Sequence, residues 1–419
     1  MSGKLLLKAM VLGTMTFSIY TIGMAAEVQD VTGLDSAQQT IASDTARKEA
    51  VRSSWMDRTD VVVGVGMKDS KETHSQHHYV GASSMRHDDL NTVTSKSLKS
   101  TEINKLYIET LQPITHYDEN AKSVVFVQGR IGRSGEKISS RALNNYWVPA
   151  RPAGTFITHD KQTDKKESLG MNANIGIGYR RLSKGEHAYV GINAFYDHVF
   201  KGGYKRVSGG VEYVAGLNEF YANLYRNLGT DDRKYTGIPG RTNRLGDPTG
   251  LYPYGMDPDQ GLYNYGVVSY ENHWMLSEKV AASGFDVGYS RTFKNARWAR
   301  VYADYYNWRG REAVRVGYYK LKKRDAIKGF KVGAEFHITP HLTLDAGYQT
   351  ASHHLSGPYA ILKYTIGTSK FAWRGGKHSE SAITTARSKM LDKVHRSDMV
   401  VQETVEETYD HGVVDVGLP

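Results

Sequence analysis

The stretch "GINAFYDHVF", residues 191–200, decides the fold. Ile192, Ala194, Tyr196 and Phe200 fall on one face of an extended chain, and Gly191, Asn193 and Asp197 fall on the other. A period of two is the signature of a strand. The open matter is which solvent each face meets. A soluble sandwich buries its apolar face and wets the polar one. A membrane barrel does the reverse, turning apolar residues out to lipid and polar residues in to a wet lumen.

The same alternation recurs along the chain. In "MNANIGIGYR" (171–180), Met171, Ala173, Ile175, Ile177 and Tyr179 oppose Asn172, Asn174, Gly176, Gly178 and Arg180. "RVSGGVEYVA" (206–215), "GFDVGYSRTF" (284–293), "FKVGAEFHIT" (330–339) and "HLTLDAGYQT" (341–350) behave alike. Many of these segments have about ten residues, the length a tilted strand needs to cross hydrocarbon. The spacing predicts strands at 59–67, 105–115, 123–133, 168–182, 187–200, 204–215, 219–229, 284–293, 296–309, 330–339, 341–350 and 357–367. Connections after even-numbered strands are short: 116–122, 183–186, 216–218, 294–295 and Pro340. The long ones, 68–104, 134–167, 230–283 and 310–329, all follow odd-numbered strands and are read as loops. Short turns on one rim and long loops on the other are the pattern of an outer-membrane barrel, with both barrel ends on the periplasmic side. The parity depends on the first segment, "TDVVVGVGM", since without it the count is odd. Aromatics agree with this topology. Phe200, Phe285, Tyr305 and Tyr348 fall outward near the outer rim, and Tyr179, Tyr213, Phe293 and Tyr364 outward near the periplasmic rim. Two such girdles are expected at the two headgroup levels.

Composition sets the surrounding limits. Mean hydropathy is −0.50, which argues against a helical membrane protein but not against a barrel, in which one strand face stays polar. The net charge of +10 is dispersed among acidic residues, so nucleic acid is not an expected partner. Cysteine is absent, so disulfides, thiolate metal sites and cysteine nucleophiles are excluded. Lys4 and Lys8 precede a mostly apolar run at 9–22, and Gly23 and Ala25 have the small-residue spacing of a signal-peptidase site. Residues 1–25 therefore read as a signal peptide, and 26–58 as a polar periplasmic segment.

No nucleophile elbow, phosphate loop or zinc-protease motif occurs in its required setting. "GMDPDQG" (255–261) has acidic residues two apart but lacks the remaining ligands of a calcium loop. "HSQHHYV" (74–80) reads as a solvated loop. Asp197 and His198 point to opposite faces of one strand and do not converge on a shared site. No enzyme activity and no cofactor are expected. On the barrel topology a mixed set of polar residues faces inward: Arg180, Asn193, Asp197, Arg206, Glu212, Asp286, Arg300, Asp304, Lys331, Glu335, Asp345 and Lys363. Asp197 is expected to pair across the lumen with Arg206, Arg180 or another inward base. A wall of mixed sign hydrates a channel or hydrogen-bonds a threaded segment without strong ion selectivity.

"LYIETLQPI" with "VVFVQGRIG", then "NIGIGYRRL", "VGINAFYDHVF" with "YKRVSGGVEY", and "GFDVGYSRTF", in this order, resemble the β-domain of the inverse autotransporters, the intimin and invasin family. That family's Asn-x-Phe-x-Asp-x-x-Phe pattern stands here as Asn193, Phe195, Asp197 and Phe200. "ARSKMLDKVHRSDMVVQE" (386–403) is similar to the family's linker, with Arg387, Leu391, Val394, Arg396 and Glu403 on its recurring positions. The resemblance spans roughly residues 50–405. It implies an all-β, twelve-stranded antiparallel transmembrane barrel in the bacterial outer membrane. It also implies a linker that re-enters from below and runs outward through the lumen to adhesive domains. Outer-membrane lipid, the barrel assembly machinery and periplasmic chaperones are the partners it implies.

The expected layout is a barrel at 59–367 and a linker or plug at 368–419, with no passenger domain following. Exposed function is then expected in the long loops at 68–104, 134–167 and 230–283, as adhesion or contact with a host or surface ligand. The alternatives are a small-solute pore and a degenerate or split exporter of a separate passenger.

Overall fold

A computed structural model describes residues 54–80, 87–118, 120–150, 155–229, 232–238, 243–245, 265–309, 315–316, 319–320, 326–352, 356–367, 372–374 and 386–417. The expected signal peptide, almost all of the polar segment that follows it and the 255–261 stretch lie outside the described residues. The strands in chain order are β1 (Thr59–Val80), β2 (His87–Pro113), β3 (Ser123–Arg133), β4 (Glu136–Ala150), β5 (Thr155–Ser168), β6 (Met171–Leu182) and β7 (Ala188–Val199). Next come β8 (Lys205–Ala215), β9 (Asn218–Asn227), β10 (Asp232–Ile238), β11 (Asn243–Leu245), β12 (Tyr265–Ala281), β13 (Gly284–Phe293) and β14 (Ala296–Trp308). The last are β15 (Arg315–Val316), β16 (Tyr319–Lys320), β17 (Ile327–His337), β18 (Leu342–Gln349), β19 (Gly357–Thr365) and β20 (Val400–Gly417).

Twelve of the described strands pair antiparallel around a closed ring. The order is β1–β2–β3–β6–β7–β8–β9–β13–β14–β17–β18–β19, and β19 returns to β1. Closure depends on "TDVVVGVGM": Asp60–Gly66 pairs with Tyr359–Thr365 on one side, and Thr59–Gly66 with Glu102–Thr110 on the other. A closed ring leaves no strand edge exposed, which a barrel in hydrocarbon requires.

Burial follows the barrel sense, not the sandwich sense. On β6 and β7, Ile175, Ile177, Val190 and Ile192 are exposed, while Gly176, Gly178, Arg180, Asn193 and Asp197 are buried. Ile192 is 60% exposed and Arg180 0%, the opposite of a soluble core. The exposed aromatics form two belts. Phe285, Tyr305 and Phe330 pack with tilted rings near one rim, with Tyr305 at 6.0 Å from Phe285 and 5.0 Å from Phe330. Near the other, Tyr213 stacks on Phe220 at 6.4 Å, and Phe220 packs at a tilt against Tyr289 at 4.9 Å. His198 sits on the outer face between Tyr196 and Phe200, edge-on to Phe200 at 5.5 Å.

The long connections are a correction to the loop reading. β1 and β2 continue as a paired ribbon past the barrel, so residues 68–80 and 87–104 are strand. Their sequences, such as "KDSKETHSQ" and "TSKSLKST", carry polar residues on both faces, so no hydrophobic period marks them. Glu136–Ala150 and Thr155–Ser168 pair as the strands β4 and β5, and β12 occupies the end of the 230–283 connection. β5 pairs with the β1 extension, β4 with β5, β20 with β4, and β12 with β20; β10 and β11 line the far edge of β12.

Candidate functional site

The inward faces of the barrel strands contact a stretch of main chain from the C-terminal part of the sequence. Ring faces fill the space over glycines on adjacent strands: a Cβ at Gly176 would lie 2.2 Å from the Phe195 ring, and one at Gly178 2.2 Å from the Phe126 ring. Beside these stacked faces runs the segment 386–400, a short 3-10 turn (Ala386–Lys389) followed by extended chain.

At the short-turn rim the segment is held by two turns. Arg387 donates to both Glu186 carboxylate oxygens at 3.0 and 2.8 Å and to the Ala121 carbonyl at 2.7 Å. Glu186, with φ 58, is the non-glycine residue of positive φ among those described. That conformation is costly for a residue with a Cβ, by roughly 1–2 kcal/mol, so the bidentate contact offsets strain in the β6–β7 turn. Ala386, Met390 and Val394 are buried in an apolar collar with Leu111, Phe126, Tyr189 and Phe195, and Leu391 packs against it.

Above the collar the contacts become charged. Arg180 donates to Glu212 at 2.6 and 3.0 Å and to the Met390 and Asp392 carbonyls at 2.9 and 2.6 Å. The Val394 N–H donates to Gln128 at 2.9 Å, and Lys393 pairs with Asp60. His395 Nε2 is placed either to donate to Glu219 at 3.1 Å or to accept from Arg300 at 2.8 Å, according to its tautomer, and the His395 carbonyl accepts from Asn223 at 3.0 Å. Lys389 donates to Glu219 at 2.5 Å. Arg396 makes a fork on Asp197 at 2.8 and 2.6 Å and lies over the Phe195 ring at 4.3 Å. Arg206 also donates to Asp197, at 2.8 Å, and reaches the Ser397 carbonyl at 2.9 Å. Asp286 accepts from Asn223, Tyr225 and the Ser397 N–H at 2.7, 2.7 and 3.0 Å. Asp398 pairs with Lys105 and Arg130. Buried ions are tolerated only when paired in this way.

Where β20 begins, a second apolar collar takes over. Val401 packs with Leu169, Val199, Ala281 and Met399, and Val400 with Ile138, Ala282 and Trp308. The Met399 carbonyl accepts from the Glu136 N–H at 3.0 Å and the Val400 carbonyl from the Ala282 N–H at 2.8 Å. Glu403 lies between Lys137 and Lys279, both at 2.7 Å. Burial pushes the Glu403 carboxyl up, but the hydrogen bonds from the two lysines outweigh it and hold it below the usual carboxylate range.

Of the inward set named from sequence, Arg180, Asp197, Arg206, Asp286 and Arg300 touch this segment, and Glu212 supports Arg180. Asn193 is buried beside Gly210. Asp304, Lys331, Glu335, Asp345 and Lys363 lie along a cleft of about 480 Å³ that separates the segment from the opposite wall. Its lining runs from Arg58 and Thr365 at one rim to Trp308 and Gln349 at the other. There Glu335 pairs with Arg300 at 3.1 Å and with Lys363, Tyr302 donates to Asp345 at 2.5 Å, and Tyr221 to Asp304. Lys331 sits over the Tyr302 and Tyr359 rings at 5.1 and 4.9 Å. Sequence reading missed Phe126, Gln128, Arg130, Glu186, Glu219, Tyr225 and Asp398. The alternation of β3 and β9 carried a signal for those on strands, whereas the turn at Glu186 carried none.

A closed barrel with an apolar outer face, two aromatic belts and a charged interior is a transmembrane outer-membrane barrel. A family model described as "Inverse autotransporter, beta-domain" matches residues 161–398, more than half the chain, and the chain belongs to that family. The fold is similar to a chain from a study of in-meso crystallisation of membrane proteins, at 13% identity over 81% of this chain and 99% of that one, TM-score 0.43. It is also similar to the translocator domain of the autotransporter NalP from Neisseria meningitidis, at 9% identity over 79% and 96%, TM-score 0.24. The β-domain of the Bordetella autotransporter BrkA shares 8% identity over 71% and 99%, TM-score 0.21. The closed ring of pairings carries the fold assignment, not these distant likenesses. A search of curated proteins finds no match. The protein is a translocation-domain barrel of the bacterial outer membrane.

Proposed function

We propose that residues 386–400 are the linker of this barrel, threaded outward through its lumen, and that the barrel anchors the chain that follows them. The observation that carries this reading is a pair of contacts at opposite ends of the segment. Arg387 binds Glu186 and Ala121 in the short turns, and Val400 accepts from Ala282 beside the long hairpins. In an outer-membrane barrel the short turns are periplasmic and the long connections face outward, so the direction is inside to outside. Residues 59–367 form the barrel unit and 368–419 the linker and tail. Of the twelve inward residues, Arg180, Asp197, Arg206, Asp286 and Arg300 then grip the segment through its backbone and paired ions, and the others complete the wall. We read that wall as structural, not catalytic, because its carboxylates are engaged by arginine, lysine or tyrosine. The ribbon of β1 and β2, the β4–β5 hairpin and β12 form the outward surface and the site of adhesive contact with a host or neighbouring surface. Delivery to the membrane by periplasmic chaperones and the barrel assembly machinery belongs to the same reading.

The 480 Å³ cleft favours a second reading, a hydrated path for small ions beside the linker. Deleting residues 386–419 and recording planar-bilayer conductance tests both. A small conductance that rises several-fold on deletion is expected of a threaded linker with a residual cleft. An unchanged conductance would show that the segment does not occupy the lumen.

A further inference from the structure

Barrel closure uses none of β4, β12 and β20, yet β20 pairs with both of the others. β20 pairs parallel with β4 over Val400–Thr408 and antiparallel with β12 over Val401–Gly417. The far edge of β4 is taken by β5, and that of β12 by β10 and β11. The two facing edges therefore frame a slot one strand wide, and β20 fills it. Its mouth is the point where the chain leaves the ring, marked by the Glu136–Met399 and Ala282–Val400 hydrogen bonds. Charge follows the same logic. Lys137 and Arg141 on β4 and Lys279 on β12 meet Glu403 and Glu407 of β20. The strand "VVQETVEETYDHGVVDVG" is rich in β-branched and acidic residues, suited to strand pairing beside these three cations.

We propose that the facing edges of β4 and β12 are a strand-capture site for an acidic, extended segment emerging from the lumen, filled in this chain by 400–417. It reads main chain by β-augmentation and side chains by charge. Over Val401–Thr408, where both edges flank the strand, each residue drawn in finds partners for its N–H and C=O, and withdrawal would strand both edges. Capture thus biases the chain outward without any external energy source. The proposal rests on the reading that 386–400 threads the lumen.

The chain has no cysteine, so introduced pairs report unambiguously. The full-length chain in the outer membrane of intact cells would carry one of three pairs under mild oxidation. The slot pair is Ser277→Cys with Val405→Cys, cross-strand partners. The off-register pair is Ser277→Cys with Gln402→Cys. The lumen pair is Gln128→Cys with Val394→Cys, whose residues share a hydrogen bond. The slot pair is expected to cross-link at least tenfold faster than the off-register pair, with the lumen pair also linking. Linkage of the lumen pair without the slot pair overturns capture and leaves threading standing; linkage of neither overturns both. Val405→Pro removes a ladder donor from β20 without touching the barrel. It is expected to reduce surface exposure of an epitope placed after Pro419 at least threefold, with unchanged heat-modifiable migration. Unchanged exposure would overturn the outward bias.

Discussion

Asp197 accepts from two arginines of very different origin: Arg206 on the adjoining strand, and Arg396, 199 residues away in sequence. The first pair belongs to the barrel, and the second ties residues 386–400 to it. Arg396→Ala leaves Asp197 neutralised by Arg206, so the barrel is expected to fold with normal heat-modifiable migration. The segment, however, loses a buried charge-assisted fork, worth about 1.5–3 kcal/mol when the remaining charge stays paired. Faster protease cleavage within 386–400 in purified protein is the expected readout; an unchanged cleavage rate would contradict the assigned grip. Glu186 gives a paired test. Glu186→Ala removes the Arg387 contact and keeps the positive-φ strain, whereas Glu186→Gly removes both. Thermal unfolding in detergent should therefore find Glu186→Gly more stable than Glu186→Ala by roughly 1 kcal/mol. The reverse order would show that strain in this turn is unimportant.

Among the elements, β20 depends most on charge. Glu403 has its carboxyl held below its ordinary value of 4.5, so its contribution is present above that pH and lost as pH falls through the lowered value. Lys137 and Lys279 are raised above 10.5, so theirs is present below that pH and lost as pH rises through the raised values. Protection of residues 400–407 against amide hydrogen exchange, corrected for intrinsic rate, is thus expected to hold between about pH 5 and 10 and to fall below about pH 4. A loss centred near neutrality would implicate other groups. The elements also show where sequence patterns end. β6 and β7 are legible because lipid on one face and a polar interior on the other impose a period of two. The ribbon beyond Gly66 and Asn104 is not, because polar residues on both faces erase the period that would mark it as strand.

For the whole molecule, the ring closes through β1 and β19 without the C-terminal segment. Removing residues 386–419 is therefore expected to preserve the band shift on heating that marks a closed barrel. Removing 59–66 is expected to abolish it, because β2 and β19 then present open edges within hydrocarbon. A shift lost in the first variant would show that the segment is needed for closure.

Alternation, strand length and turn parity in the sequence determined the twelve barrel strands, their inward and outward faces and the aromatic belts. Each of these follows from a local period meeting two different solvents. Asn193 and Asp197, the polar positions within "GINAFYDHVF", were legible as inward-facing for the same reason. Arg206 was legible as a partner of Asp197; the second arginine there, Arg396, was not. That Arg396 meets Asp197, which turn holds Arg387 and which two edges accept β20 depend on contacts between residues far apart in the chain. No local period encodes such contacts, because they exist only after the ring closes and brings distant side chains to one axis.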